Sequence, residues 1–211
     1  MVVADAEQNW MNNFTLKKTF YTQADTLGIA QALLGKKLVT TFDGITTSGI
    51  ICETEAYCGT EDRGCHAYNN RFTERTKVMY NEGGVSYVYI CYGIHYLFNV
   101  VTHNAGEPHA ILIRAIEPVD GIPYMLQRRN LQKYSKSIGA GPGLVTQCLG
   151  ITTKHNGLSL MGQAIRICDA EPIDPKKIIA SPRVGMNFSG PYKLIPWRFR
   201  IADSPFTSKA K

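Results

Sequence analysis

The chain has 211 residues and a mass of 23.4 kDa, with 44% hydrophobic and 19% charged side chains, which excludes a disordered or fibrous protein. Its net charge of +6 is unevenly placed: residues 1–120 carry 9 basic and 13 acidic side chains, residues 121–211 carry 14 and 4. A basic half of this kind suits a polyanion such as nucleic acid, although a solvated surface would carry the same charges.

No run approaches the ~20 apolar residues of a membrane span. The opening residues are polar, with Asp5 and Glu7, and lack the basic-then-apolar order of a signal peptide. A soluble protein inside the cell is expected, in the cytoplasm or nucleoid, or in the nucleus of a eukaryote. The six cysteines contain no C-x-x-C pair and are expected as reduced, mostly buried thiols. Adjacent Cys65 and His66 invite a zinc reading, but neighbours rarely ligate one structural ion and no second cluster follows. No metal site is expected.

In chain order, residues 1–14 read as a loose polar arm. Residues 25–35 read as a helix, with Asp25 as N-cap, Leu27, Ala30, Leu33 and Leu34 on one stripe, and Gly35 at the C-cap. Residues 37–42 and 46–57 read as paired strands joined by a turn at Asp43-Gly44. Residues 58–84, rich in Gly, Asn, Arg and Thr, read as a long loop with one short helix, of a length that is usually functional or disordered. Residues 85–90 and 96–102 flank a hairpin turn at residues 91–94, and residues 109–116 form a further strand. Residues 119–134 read as a helix, and Gly139 to Gly143 opens a short one over 144–149. From Ile165 onward, strand-like runs alternate with proline breaks. No βαβ rhythm appears. The fold class expected is α+β: a compact domain around a curved, mainly antiparallel sheet, with flanking helices and a protruding β-hairpin.

Reactive residue types are densest at Glu53-Thr54-Glu55-Ala56-Tyr57, where alternation puts Glu53, Glu55 and Tyr57 on one strand face. By themselves these residues favour a solvent-exposed polar edge. The sharper reading is a general base beside a stacking ring. Tyr87 and Tyr89 share a second face, where aromatic residues are ordinarily core. Tyr92 falls at the hairpin tip, buries little there, and so asks for a partner outside the chain. A flat amphipathic wedge of this kind can enter a base stack, with Arg71, Arg75 and Lys77 of the nearby loop on the phosphates. The glycine-rich turn at Gly141-Pro142 lacks a P-loop's Lys-Ser/Thr, yet offers backbone N–H groups to an anion if DNA is the ligand. Asn99, inside a β run, reads either as a satisfied core amide or as a pocket residue meeting a ligand edge.

Several runs together resemble the alkyladenine (3-methyladenine/methylpurine) DNA glycosylases. They are Glu53 to Tyr57 with Gly59, Glu61, Asp62 and His66; Tyr87 to Gly93 with Asn99; and Leu112 to Pro118. Gly141-Pro142, Arg183-Val184-Gly185, Trp197 to Arg200 and Ser204-Pro205-Phe206 continue the match, which covers about residues 16–207 in order. The chain departs from vertebrate members at His95, where they carry tyrosine, and at Asn69-Asn70, where they are rich in glycine.

The resemblance implies one DNA glycosylase domain over residues 15–211, active as a monomer on duplex DNA containing a damaged purine, without cofactor or metal. It implies Tyr92 as the minor-groove wedge and Tyr57, His66 and Tyr89 as walls of the flipped-base pocket. Asn99 would crowd the exocyclic amine of guanine. Glu55 would deprotonate the water, and Arg114 beside it would help order that water or the flipped phosphate, while Glu53 stays structural. The chemistry agrees: a purine methylated at N3 or N7 is cationic, leaves readily and favours aromatic faces. No lysine lies in the motif core, so hydrolysis without strand cleavage is expected. The alternatives are a non-catalytic module that binds damaged DNA and, more remotely, a carbohydrate glycosidase using Glu53 and Glu55.

Overall fold

A computed structural model describes residues 14–209; the expected arm over residues 1–14 lies outside them save for Phe14. Two short helices come first, α1 (Lys18–Tyr21) and α2 (Thr26–Ala32). Asp25 caps α2 by accepting a hydrogen bond from the Gly28 N–H at 2.8 Å. Then follow β1 (Lys37–Phe42) and β2 (Ile45–Cys58), joined by a turn in which Asp43 and Gly44 both take positive φ. The hairpin is β3 (Ser86–Cys91) and β4 (His95–Thr102), followed by β5 (His109–Asp120). Helices α3 (Ile122–Arg128) and α4 (Pro142–Leu149) precede β6 (Ile165–Cys168), β7 (Ile178–Ser181) and β8 (Arg198–Ile201).

The strands form one curled sheet in the order β3-β4-β5-β2-β1-β6, with β8 joining β2 and β7 pairing β8. Every ladder between these strands is antiparallel. The mixed α/β fold with a curved antiparallel sheet is therefore the one expected. β2 changes partners along its length: residues 45–50 pair with β1, whereas Glu53, Thr54 and Glu55 lie between β5 and β8. At that change the register with β5 slips on either side of Glu53, opposite Ile113 to Ala115. A bulge of this kind bends a strand and re-aims its side chains.

Two expectations need correction. The helix expected over residues 119–134 is only Ile122–Arg128. Asp120 belongs to β5, where it accepts from Ser48 Oγ (2.5 Å) and pairs with Lys37 (2.7 Å). Gly121 then turns the chain at φ +70, with Thr46 O 2.5 Å from where a Cβ would sit, and Asn130 at φ +51 ends the helix side. The loop over residues 58–84 holds three 3-10 turns, at Gly59–Glu61, Tyr68–Asn70 and Lys77–Tyr80. Asn69 and Asn70 both have positive φ, +57 and +58. Asparagine tolerates that region better than other side chains. Asparagine is therefore compatible with the backbone that this loop adopts at both positions.

The main core packs α2, α3 and α4 onto the sheet through Leu33, Leu34, Leu38, Ile51, Phe98, Ile111, Ile113, Met125 and Leu149. A smaller cluster of Cys65, Ala67, Val78, Met79, Tyr87, Val101 and Ala110 lies beneath the long loop. Tyr57 and Tyr89 pack against that second cluster, so the predicted site rests on it. All six cysteines are free thiols. Among the described residues, no helix is long and apolar enough to cross a membrane.

Candidate active site

Glu53, Glu55 and Tyr57 do share a face of β2, but the exposed polar edge favoured by those residues alone is wrong. Both carboxylates are fully buried, because β5 and β8 flank the strand there and make it a central one. A buried carboxylate must be paired or hydrogen-bonded, and both are. Glu53 Oε1 meets Arg114 Nε at 2.8 Å, Ser208 Oγ at 2.9 Å and Arg198 Nη1 at 3.3 Å; its Oε2 accepts from the Ser208 N–H at 2.7 Å. With its acceptor capacity filled, Glu53 is an anchor for Arg114.

Glu55 is bound more sparingly. Its Oε1 accepts from the Val184 N–H (2.8 Å) and lies 3.3 Å from Arg114 Nη1, while its Oε2 accepts from the Tyr57 hydroxyl (2.9 Å). An ionised carboxylate offers about four acceptor positions, so these contacts leave room for a water. Burial opposes the charge of Arg114, but the Glu55 and Glu53 carboxylates outweigh it and hold the guanidinium above its ordinary pKa. Burial, then the charge of Glu55, pushes the Tyr57 hydroxyl well above its usual range, so it stays a donor to that carboxylate.

Glu55 opens into a cavity of about 540 Å³ that is also lined by Tyr57, His66, Tyr89, Tyr92, Asn99 and Arg114. The structure thus brings together the predicted catalytic pair, the pocket residues and the hairpin tip. His66 Nδ1 lies 2.8 Å from the Tyr87 hydroxyl, and its ring meets Tyr89 edge-on at 4.7 Å. Tyr87 is therefore core, as its strand position suggests, and also orients His66. Asn99 Nδ2 donates to Tyr87 O (3.0 Å), so the satisfied amide and the pocket residue are one and the same. A second cavity, of about 680 Å³, lies between α2 and residues 169–178, and none of the predicted site residues reaches it.

Tyr92 stands at the hairpin tip, 81% exposed, next to Ile94 at 74%. Its φ is +51, a conformation that costs a residue with a β-carbon about 1–2 kcal/mol. A strained tip residue that buries almost nothing contributes little to folding, so its identity points outward. Just below the hairpin tip, Gly143 in the first turn of α4 lies against His95: a Cβ there would meet His95 Cβ at 3.1 Å. Gly141 caps that helix from outside, its carbonyl accepting from the Leu144 and Val145 N–H groups at 2.9 Å. Arg71 is exposed on the loop. Arg75 turns inward to line the cavity.

Sequence reasoning missed the strap that closes the cavity. Arg183 binds buried Asp62 through both guanidinium branches, at 2.6 and 2.7 Å. It also lies 4.8 Å over the Tyr57 ring and 5.1 Å from the centre of Trp197. This fixes the chain next to it, so that the Val184 N–H reaches Glu55 and residues 184–188 line the cavity. Arg183-Val184-Gly185 stood out as a motif, but nothing local in the sequence pairs Arg183 with Asp62. Among the described residues, no group of three His, Cys, Asp or Glu side chains is placed to hold a metal ion.

Burial, then the charges of Arg75 and Arg71, lowers the His66 pKa from 6.5 to about 4. His109, stacked on His103 at 3.7 Å, is lowered to about 4 by burial and then by His103. Between pH 6.5 and 4 the unfolded chain takes up protons that these two folded rings refuse. Their contribution is therefore present above pH 6.5 and is lost as pH falls through the window. His109→Gln is expected to flatten the dependence of Tm on pH over that range; a slope equal to the parent's would contradict the assignment.

Comparison with known proteins supplies the class. A family model described as methylpurine-DNA glycosylase (MPG) matches residues 19–205, which makes the protein a DNA-repair hydrolase of N-glycosidic bonds. Relatives named "Putative 3-methyladenine DNA glycosylase" include one from Chlamydia felis (strain Fe/C-56), 47% identical over 187 residues, covering 88% of this chain and 95% of the relative. Another, from Bacillus cereus (strain G9842), is 43% identical over 201 residues, covering 90% of this chain and 97% of the relative. The chain belongs to the methylpurine-DNA glycosylase family.

Proposed function

We propose that this enzyme initiates base excision repair by flipping alkylated or deaminated purines out of duplex DNA and hydrolysing their N-glycosidic bonds. The range proposed is that of 3-methyladenine, 7-methylguanine, hypoxanthine and ethenoadenine. The observation that carries this reading is Glu55: a carboxylate fully buried at the wall of an aromatic cavity, held by three partners, beneath an exposed tyrosine wedge. A buried carboxylate with acceptor capacity to spare is suited to a water, not to holding the fold.

Tyr92 enters the stack in place of the flipped nucleotide. The base enters between Tyr57 on one side and His66 and Tyr89 on the other, while Asn99, fixed by Tyr87 O, crowds a guanine amine. The water oxygen bonds to C1′ as the base leaves with the electron pair of the N-glycosidic bond, and the water proton passes to Glu55. A base methylated at N3 or N7 departs neutral, whereas hypoxanthine and ethenoadenine depart as anions that take a proton from solvent water. Arg114, anchored by Glu53, positions Glu55 and the water. Arg71, Arg75 and Gly141 are the candidates for contact with the DNA backbone. No lysine lines the cavity among the described residues, which supports hydrolysis without a Schiff base. The enzyme is proposed to work as a monomer in the compartment that holds the DNA.

The test is single-turnover excision from duplexes carrying hypoxanthine or an alkylated purine, with alkali revealing abasic sites. Release with no strand break before alkali supports the reading. Tight lesion binding with no release replaces it with a damage-binding role.

Tyr92→Ala is expected to leave Tm nearly unchanged and to lower the single-turnover rate about tenfold, most on the most stable base pairs, because unstacking costs a few kcal/mol. Equal rates for variant and parent on every duplex would remove the wedge assignment.

A further inference from the structure

The two tyrosines on either side of the cavity each carry a guanidinium, held in different ways. Arg183 over Tyr57 is locked by its two bonds to Asp62. Arg75 over Tyr89, 4.7 Å from the ring centre, has no carboxylate within ion-pair distance among the described residues. Its other contacts are Nη2 to His66 Nε2 at 3.4 Å, the ring nitrogen that Tyr87 leaves open, and a side-chain hydrogen bond to Tyr87, all neutral partners. The side chain is otherwise exposed, and an exposed cation on an aromatic face is held only weakly.

The backbone beneath Arg75 is not loose. Thr76 Oγ1 accepts from the Thr73 N–H at 2.9 Å and donates to Arg71 O at 2.9 Å, and the Tyr80 hydroxyl also reaches Arg71 O. Movement at this place is therefore movement of the arginine side chain over a fixed turn. A guanidinium is flat and covers the ring face on which a purine, charged or neutral, would stack.

We propose that Arg75 and the flipped base compete for one seat on Tyr89, so that Arg75 is a specificity-determining gate which an incoming base displaces. This rests on the proposed glycosylase function. A base that stacks strongly on Tyr89 replaces what the arginine gives up. One that stacks weakly does not, and is returned to the duplex. Against a free base the competition operates without DNA, which separates it from any phosphate contact by the same side chain.

The experiment is equilibrium dialysis of radiolabelled 3-methyladenine, as the free base, against the parent, Arg75→Ala and Arg75→Lys, alongside single-turnover excision by the parent. Arg75→Ala is expected to bind the free base about two- to fivefold more tightly, with Arg75→Lys between it and the parent, since lysine keeps the charge but not the flat stacking. Affinity unchanged in Arg75→Ala, including binding too weak to detect in both proteins, overturns the gate. Weaker binding also overturns it, and makes the guanidinium part of the wall. A parent that excises no damaged purine removes the underlying function instead, whatever the dialysis gives.

Discussion

Replacing Glu55 with glutamine is expected to leave duplex binding intact while lowering base release by about 10²–10⁴-fold, the usual worth of a positioned general base. The replacement is isosteric. The amide oxygen can still accept from the Val184 N–H and face Arg114, and the amide NH₂ can donate to the Tyr57 oxygen in place of the bond it once received. The cavity should therefore keep its shape. What is lost is a group that can take a proton from water and oppose positive charge on the sugar. Single-turnover excision and fluorescence anisotropy on the same lesion duplex separate the two effects. Release at the parental rate would take Glu55 out of the mechanism.

Arg183→Met is expected to destabilise the fold by about 3–5 kcal/mol, because it strands the buried carboxylate of Asp62 without its cation. For a chain of this size the matching fall in Tm is about 6–20 °C. Asp62 also accepts from the Cys58 and Gly64 N–H groups at 3.0 and 2.8 Å, so the strain reaches the start of the long loop. Adding Asp62→Asn should recover part of the loss, since an amide still accepts hydrogen bonds and no unpaired charge remains. Urea denaturation of the single and double variants checks the sign of that coupling. A double variant less stable than Arg183→Met would refute the stranded-charge explanation. Excision by the single variant should fall further than its folded fraction accounts for, because the strap carries the Val184 N–H that holds Glu55.

Much of this was legible in the sequence where the signal is local. Asp25 caps α2, whose other end closes at Leu33 and not at the expected Gly35; alternation gives β1, β2 and the β3–β4 hairpin, and Tyr92-Gly93 marks the tip. The candidate site residues came from the resemblance, and the structure gathers Glu55, Tyr57, His66, Tyr89, Tyr92, Asn99 and Arg114 around one cavity. What could not be read is whatever depends on partners distant in sequence. The strand face holding Glu53 and Glu55 looks the same on paper whether β8 covers it or solvent does. The pairing of Asp62 with Arg183 spans 121 positions. The helix expected over residues 119–134 failed because Val119 and Asp120, which fit a helical pattern, are claimed by β2 through Ser48 and by Lys37.

The placement of Tyr57 and Tyr89 on the small cluster beneath the long loop bears on how such an enzyme can diversify. Because that cluster is separate from the core packed by α2, α3 and α4, changes at Val78, Met79 or Ala67 can retune the walls around a base while the sheet keeps its stability. Drift in lesion preference among relatives is then expected to gather in residues 65–80 and Val101. The strands that carry Glu55 and Arg114, whose mutual geometry depends on one-residue slips in β2 at Cys52 and in β5 at Arg114, have far less freedom: a single insertion or deletion there would turn the carboxylate to the opposite face.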